Sequence, residues 1–307
     1  MIICLGEALI DLVPPGGESP RTSNTLHIEP GGAPMNVAIG LRRLGASAAF
    51  LGTLSSDPFG RRLAALLHAE RVPRLPERVV DASTRLAVVD PTNPAAPFRF
   101  YGDDPADTQL TREDVEHAFA AATPTGIYAG SLPLTHPRMR ATVEFALDLA
   151  HEAGVPIYSD PNPRPAAWPS REAMEAATVY LLERSAYAKL SVDDAAALGW
   201  PADPEKLLGW AAERFPARIF VTAGARGSYA LSDGRVLHAR SPVVSPVDPT
   251  GAGDASFAAL ISRVHGKERI AAGDLEFASA VGALATQAHG AVNGLPTLEE
   301  VRAFLRV

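Results

Sequence analysis

Short apolar strands alternate with amphipathic helices along most of this chain, and that rhythm restricts it to an α/β fold built on a mainly parallel sheet. The pattern opens with an apolar strand from Ile2 to Leu9. Helical spacing begins after Pro34, with Val37, Leu41 and Leu44 at i, i+4 and i+7 and Gly45 placed to end the helix. A strand follows at Ala48–Leu51. Asp57 then caps a helix whose first position suits Pro58 and whose apolar stripe is Phe59, Leu63, Leu66 and Leu67. The alternation resumes with a capping-box pair, Thr111 and Asp114, and then a strand at 126–129, a helix at 137–153 and a strand at 155–159. Later strands are predicted at 187–190 and 219–222. No internal repeat or low-complexity linker divides the chain, so residues 1–307 are expected to form a single domain.

Two stretches break the rhythm. Residues 14–32 are rich in Pro, Gly, Ser and Thr and carry a short extended piece at Thr25–Ile28. Residues 75–104 contain Thr84–Val89 and Phe98–Tyr101, separated by a turn rich in Pro and Asn, which reads as a β-hairpin. Together, about 12–32 and 75–104 make a sheet too thin to fold alone, predicted to project from the main body as a lid.

The densest chemistry lies near the C-terminus, in Asp248-Pro249-Thr250-Gly251-Ala252-Gly253-Asp254. Residues 243–247 read as extended, and from Ala252 the pattern turns helical. The N–H groups of residues 251–254 would then point out of the helix start, ready to hold a transferring phosphoryl group, with Asp254 beside them to accept a hydroxyl proton. On spacing alone a second reading stands beside this one: a glycine turn, with Asp254 complementing the helix dipole. Gly31-Gly32-Ala33-Pro34-Met35-Asn36 has a similar design, with paired glycines that let a polyhydroxy ligand approach the backbone and an Asn that both donates and accepts. Asp160-Pro161-Asn162-Pro163-Arg164 follows a strand, where α/β folds place ligand loops.

The balance of 28 basic and 35 acidic residues, a net charge of −7, gives no support to nucleic-acid or membrane-surface binding and points to small-molecule work. The one cysteine, Cys4, excludes an internal disulfide and a cysteine-rich metal site. There is no basic leader and no run of membrane-spanning length, so a cytoplasmic location is expected. The chain also lacks a Gly-x-x-x-x-Gly-Lys run and a Gly-x-Gly-x-x-Gly after its first strand, which argues against a P-loop kinase and a dinucleotide oxidoreductase.

The run 248–254 resembles the C-terminal signature of the ribokinase (PfkB) family of sugar kinases, usually Asp-Thr-Thr-Gly-Ala-Gly-Asp, with Pro249 replacing the first threonine. The segment 31–38 resembles the family's N-terminal signature, and Gly6–Asp11 its sugar-binding strand. Gly6-Glu7-Ala8-Leu9-Ile10-Asp11, Ser55–Gly60 and Phe98–Tyr101 followed by Ala106-Asp107 are most similar to the fructokinase group, although Gly102 stands where that group often has Arg. The resemblance implies a ribokinase-like three-layer sandwich with a mainly parallel sheet and a β-sheet lid, and an ATP-dependent sugar kinase, with fructose to fructose 6-phosphate as the first expectation. It also implies the roles of particular residues. Asp254 is the catalytic base, with Gly251, Ala252 and Gly253 as the anion hole and Arg164 stabilising transferring charge. Asp11, Gly31, Gly32, Asn36, Arg99 and Phe100 are expected to hold the sugar. Asn162, Ser191, Asp194, Thr222, Gly224 and Gly227 are expected on the nucleotide side with magnesium, where Asp194 replaces the family's longer Glu. Potassium is expected at Asp248 and Thr250, and a homodimer through the lid. Kinases of 2-keto-3-deoxygluconate, of another sugar or of a riboside are the alternatives, as is a non-catalytic sugar-binding regulator.

Overall fold

The computed structural model describes residues 1–93 and 97–305. From β1 (Ile2–Leu5) the chain leaves through β2 (Leu9–Val13) and β3 (His27–Gly31), then returns along α1 (Ala33–Arg43) to β4 (Ala48–Leu51). It continues through β5 (Leu54–Ser55), α2 (Pro58–Ala69), β6 (Arg74–Leu75) and β7 (Val79–Val80) to the hairpin of β8 (Leu86–Val89) and β9 (Phe98–Tyr101). Helix–strand units follow: α3 (Arg112–Ala122) and β10 (Gly126–Gly130), α4 (Pro137–Glu152) and β11 (Ile157–Asp160), α5 (Arg171–Arg184) and β12 (Tyr187–Ser191). Next come α6 (Val192–Leu198), α7 (Pro204–Ala212) and β13 (Arg218–Thr222), then the hairpin β14 (Ser228–Ser232) and β15 (Arg235–Ala239). The last helices are α8 (Ala252–Val264), α9 (Ala272–Ala285) and α10 (Leu298–Leu305).

Among the described residues, nine strands form the main sheet in the order β15-β14-β13-β12-β11-β10-β1-β4-β6. It is parallel from β6 to β13; β14 pairs antiparallel with β13 and β15 antiparallel with β14, so β14 alone runs against the rest. Strand alternation sends Ile2 and Cys4 to one face, into a core shared with α1, α8 and α9. Ile3 and Leu5 go to the other, against α4, α5 and α7. Two buried faces are what a parallel sheet requires, and they give the three layers. Successive strands move outward from β1 in opposite directions, to β4 and β6 on one side and to β10–β13 on the other. That reversal opens a crevice above the C-terminal ends of β1 and β10.

Over that crevice lies the lid, a four-stranded sheet in the order β3-β2-β8-β9. It starts at Leu9, earlier than the predicted residue 12, because the single strand expected over Ile2–Leu9 is broken at Gly6. Gly6 takes φ +146, and a Cβ there would stand 2.6 Å from the Pro34 ring. The break moves Asp11 from the end of a core strand into the middle of a lid strand. The predicted hairpin is present and antiparallel, and residues 94–96 of its turn lie outside the described residues. Residues 243–247 join no strand; Val247 N–H instead donates to Thr286 O at 2.7 Å. Among the described residues no helix is long and apolar enough to cross a membrane.

Candidate active site

A cavity of about 530 Å³ occupies the crevice. Its floor is the start of α8, one wall is the end of β1 with the start of α1, and the lid residues Phe98 and Phe100 close the top. At the floor, Gly251 takes φ +80, and a Cβ on it would lie 2.7 Å from Ala291 Cα, so only glycine fits this turn. Ala252 N–H donates to Pro249 O at 3.1 Å and Ala252 does not line the cavity, which removes it from the expected anion hole. Gly251, Gly253 and Asp254 do line it, at a helix start where N–H groups lack acceptors one turn back.

Asp254 is buried, and its Oδ2 accepts a hydrogen bond from Asn36 Nδ2 at 2.8 Å. The partners lie 218 positions apart and meet because α1 packs tightly on α8: a Cβ on Gly40 would come within 3.0 Å of Ala258 Cβ. Burial raises the Asp254 pKa, while Asn36, Lys189 and Arg164 pull it back. A proton acceptor nearer the working pH than an exposed carboxylate is the result. Asn36 Oδ1, buried and lining the same cavity, has no partner and is available to a ligand hydroxyl.

Above this floor, Gly32 takes φ +108, and a Cβ there would meet Glu7 O at 2.6 Å. Gly31 serves differently from the expectation. It does not line the cavity, and its missing side chain makes room for the Asp11 carboxylate lying over it. Asp11 is buried and accepts no hydrogen bond among the described residues; burial, with Asp254, Asp248 and Glu29 nearby, pushes its pKa up to about 7 despite Arg164. No hydrogen bond among the described residues supports a full charge on Asp11, and two ligand hydroxyls would supply the hydrogen bonds that hold it. Arg99 is not brought to the site. Alternation along β9 points Phe98 and Phe100 into the cavity and leaves Arg99 exposed on the other face, 6.0 Å from the Tyr101 ring.

The opposite wall carries Asn162 and Arg164. Asn162 holds φ +41, a left-handed conformation that asparagine tolerates better than most residues, and the Arg164 guanidinium stacks 5.1 Å from the Phe98 ring centre, joining this wall to the lid. Ser191 and Asp194 form a reciprocal capping box at the start of α6, and Asp193, not Asp194, lines the cavity. Beneath them Lys189 Nζ stands 2.8 Å from Asp160 Oδ2 and 4.0 Å from Asp194 Oδ2. Thr222, Gly224 and Gly227 lie outside the cavity; Gly227 is required where β15 leaves the sheet, since a Cβ would meet Ser241 N at 2.7 Å. Asp248 does not line the cavity but ties its rim, accepting from Thr250 N–H and Gly290 N–H at 2.9 Å each. Those bonds outweigh its partial burial and hold its pKa below the ordinary value.

A glycine-framed helix start carrying a buried carboxylate, under a β-sheet lid, is a site built for phosphoryl transfer to a hydroxyl. The model of pfkB family carbohydrate kinases matches residues 1–298. The chain belongs to this family. It is 34% identical to fructokinase-1 of Zea mays over 318 residues, covering 98% of this chain and 96% of that one. The structure of Vibrio cholerae O395 fructokinase with fructose, ADP and calcium bound superposes with a TM-score of 0.84 at 27% identity, over 99% of this chain and 98% of that one. Aminoimidazole riboside kinase of Salmonella enterica, complexed with aminoimidazole riboside and an ATP analogue, gives a TM-score of 0.84 at 25% identity and 99% coverage of both.

Four residues of this pfkB kinase site carry no role from the sequence, although Glu7 and Asp160 stand inside motifs that do. Glu7, Ser131, Asp160 and Lys189 all line the cavity. Ser131 Oγ donates to Pro161 O, pinning the Asn162 loop to the end of β10. Lys189 carried an available signal, a charged residue inside the apolar strand Tyr187-Ala188-Lys189-Leu190. A parallel strand buried on both faces must give such a lysine a partner. The kinase supplies Asp160.

Proposed function

We propose that this chain is an ATP-dependent kinase that phosphorylates fructose on its 6-hydroxyl. The observation that carries the reading is the Asp254 carboxylate, held by Asn36 at the start of α8 and facing a cavity that also receives Asp11. Asp11, Asn36 and the Gly32 backbone bind the sugar hydroxyls, and Phe98 and Phe100 exclude water so that transfer is not diverted to hydrolysis. As the sugar oxygen bonds to the γ-phosphorus, the bond to the β,γ-bridging oxygen breaks, ADP leaves with the electron pair, and the sugar proton passes to Asp254. The N–H groups of Gly251 and Gly253 face the charge on the transferring oxygens.

Among the described residues no three His, Cys, Asp or Glu side chains cluster as a protein-only metal site. That suits magnesium, which binds through one or two carboxylates and substrate phosphates. Asp193, exposed in the cavity, is the carboxylate placed to hold it, and the ion would neutralise the β- and γ-phosphates. Potassium belongs beside Asp248 and Thr250. ATP as donor fits a cytoplasmic location, and the exposed apolar side chains Leu26, Ile28 and Tyr101 on the lid fit a homodimer.

Arg164 in the cavity favours one second reading, in which the acceptor is a sugar acid such as 2-keto-3-deoxygluconate, whose carboxylate would pair with the guanidinium. Turnover with MgATP and potassium on fructose, 2-keto-3-deoxygluconate, ribose and a nucleoside decides between them. Selective turnover of fructose is the expected outcome, and Asp254→Asn should lower it by about two orders of magnitude or more with sugar binding retained. Selective turnover of the keto acid would replace the substrate, and near-normal turnover by Asp254→Asn would remove the base from the mechanism.

A further inference from the structure

Lys189 is the only lysine or arginine that is buried among the described residues, with 3% of its surface exposed. It sits on β12 at the cavity floor, where its ammonium donates to Asp160 Oδ1 at 3.0 Å, pairs with Oδ2 at 2.8 Å and lies 4.0 Å from Asp194. Its far side is turned to the helix start: a Cβ built on Gly253 would be 3.2 Å from Lys189 Cε and 3.4 Å from Nζ. Gly253 thus has two duties, opening its N–H to a ligand and leaving space for the lysine.

Besides Glu7 and Asp11, whose pKa values burial pushes up to about 8 and about 7, the carboxylates of Asp160, Asp194 and Asp254 are buried in or around this cavity, which must accept a polyphosphate. Carboxylate charge beside the phosphates repels them unless fixed cations face them; Arg164 is one on the wall, and Lys189 is the one at the floor. If neutralising Asp160 were the only task, a pair of apolar residues would do as well, since a buried ion pair gains little over a packed hydrophobic one. Burial works against the charge on Lys189, but Asp160 and Asp194 outweigh it and raise its pKa, so the ammonium persists.

Resting on the kinase reading above, we propose that Lys189 is a catalytic residue of this protein: its ammonium, oriented by Asp160 and Asp194, contacts the γ-phosphoryl group beneath Gly253 and opposes the charge that grows on its oxygens during transfer. Lys189 gives up no proton in the step. Its contribution is a preorganised charge in a site shielded from water.

Two variants test this in the full chain. Lys189→Met should lower turnover by about a hundredfold or more, the scale of losing one preorganised donor. Because it also strands Asp160, Lys189→Met/Asp160→Asn is made alongside, and should regain the thermal midpoint without regaining turnover. Calorimetric binding of the β,γ-imido analogue of ATP is compared with that of ADP. The parent should bind the analogue more tightly, and both variants should lose that preference while keeping ADP. A double variant that turns over within about threefold of the parent, or keeps the preference, would overturn the proposal and leave Lys189 as the partner of Asp160 alone. A parent that binds both nucleotides equally has no γ-phosphate contact to lose, and overturns it too. If the parent binds nucleotide but turns over none of the sugars, the substrate assignment fails by itself and the affinity comparison still decides Lys189.

Discussion

Glu7 shows how far a single side chain can be taken from its solution behaviour. It is buried at the end of β1, Oε1 accepts from Ala33 N–H at 3.2 Å, and Oε2 has no partner. Burial, with Asp107 adding to it and Arg85 opposing, moves its pKa from 4.5 to about 8. The folded chain therefore binds this proton more tightly than the unfolded chain. The stabilisation is complete below 4.5 and is lost as pH rises through about 8. Glu7→Gln does not titrate, so its thermal midpoint relative to the parent should rise between about pH 5 and about pH 9; an unchanged difference would show that Glu7 stays ionised in the fold. At this scale the glycines were the legible residues, because a positive φ or a close backbone approach is a property of the residue and its neighbours. The fate of Glu7 was not legible, because it depends on Arg85, just before β8, and Asp107, in the segment before α3.

At the scale of elements, α8 is a floor whose first turn has to be placed accurately. Gly251→Ala would force a methyl group against Ala291 and strain φ +80, displacing the turn while the body of α8 remains packed on α1 and α9. Turnover should fall by about a hundredfold, as expected for a misplacement on the order of 1 Å at the reacting group. Circular dichroism should show unchanged helix content. Retained turnover would mean that the turn tolerates an Ala and is not the anion hole. The helix starts at Asp57 and Thr111 were readable since capping is local, and the structure keeps both: Asp57 Oδ1 accepts from Gly60 N–H, and Thr111 exchanges bonds with Asp114. The β14–β15 hairpin carried its own sign in Asp233-Gly234, with both residues at positive φ. In α9, residues are buried on several sides, so no polar stripe marks its period.

For the whole molecule, the lid raises the question of what covers its outer face. Ile28 and Tyr101 are 37% and 51% exposed there, beside Leu26. A thin sheet with apolar residues on its outer face gains most from a second copy. Sedimentation should find a dimer, and Ile28→Asp should shift it to monomer; an unchanged sedimentation coefficient in the variant would move the interface elsewhere.

The alternation of strand and helix, several helix starts, the departure of the lid from the core, and the glycine-framed approach to Asp254 could all be read from the residues in order. All of these are short-range properties, set by side-chain periodicity and backbone sterics within a few residues. Tertiary structure alone decided which charges share the cavity. Strand order and register gather residues 7, 11, 36, 160, 189 and 254 around one crevice, turn Arg99 out of it, and commit Asp194 to its own helix cap. The protonation preferences of Glu7, Asp11 and Asp254 follow from that gathering, since burial and Coulomb interactions act between groups that are distant in the chain and close in space.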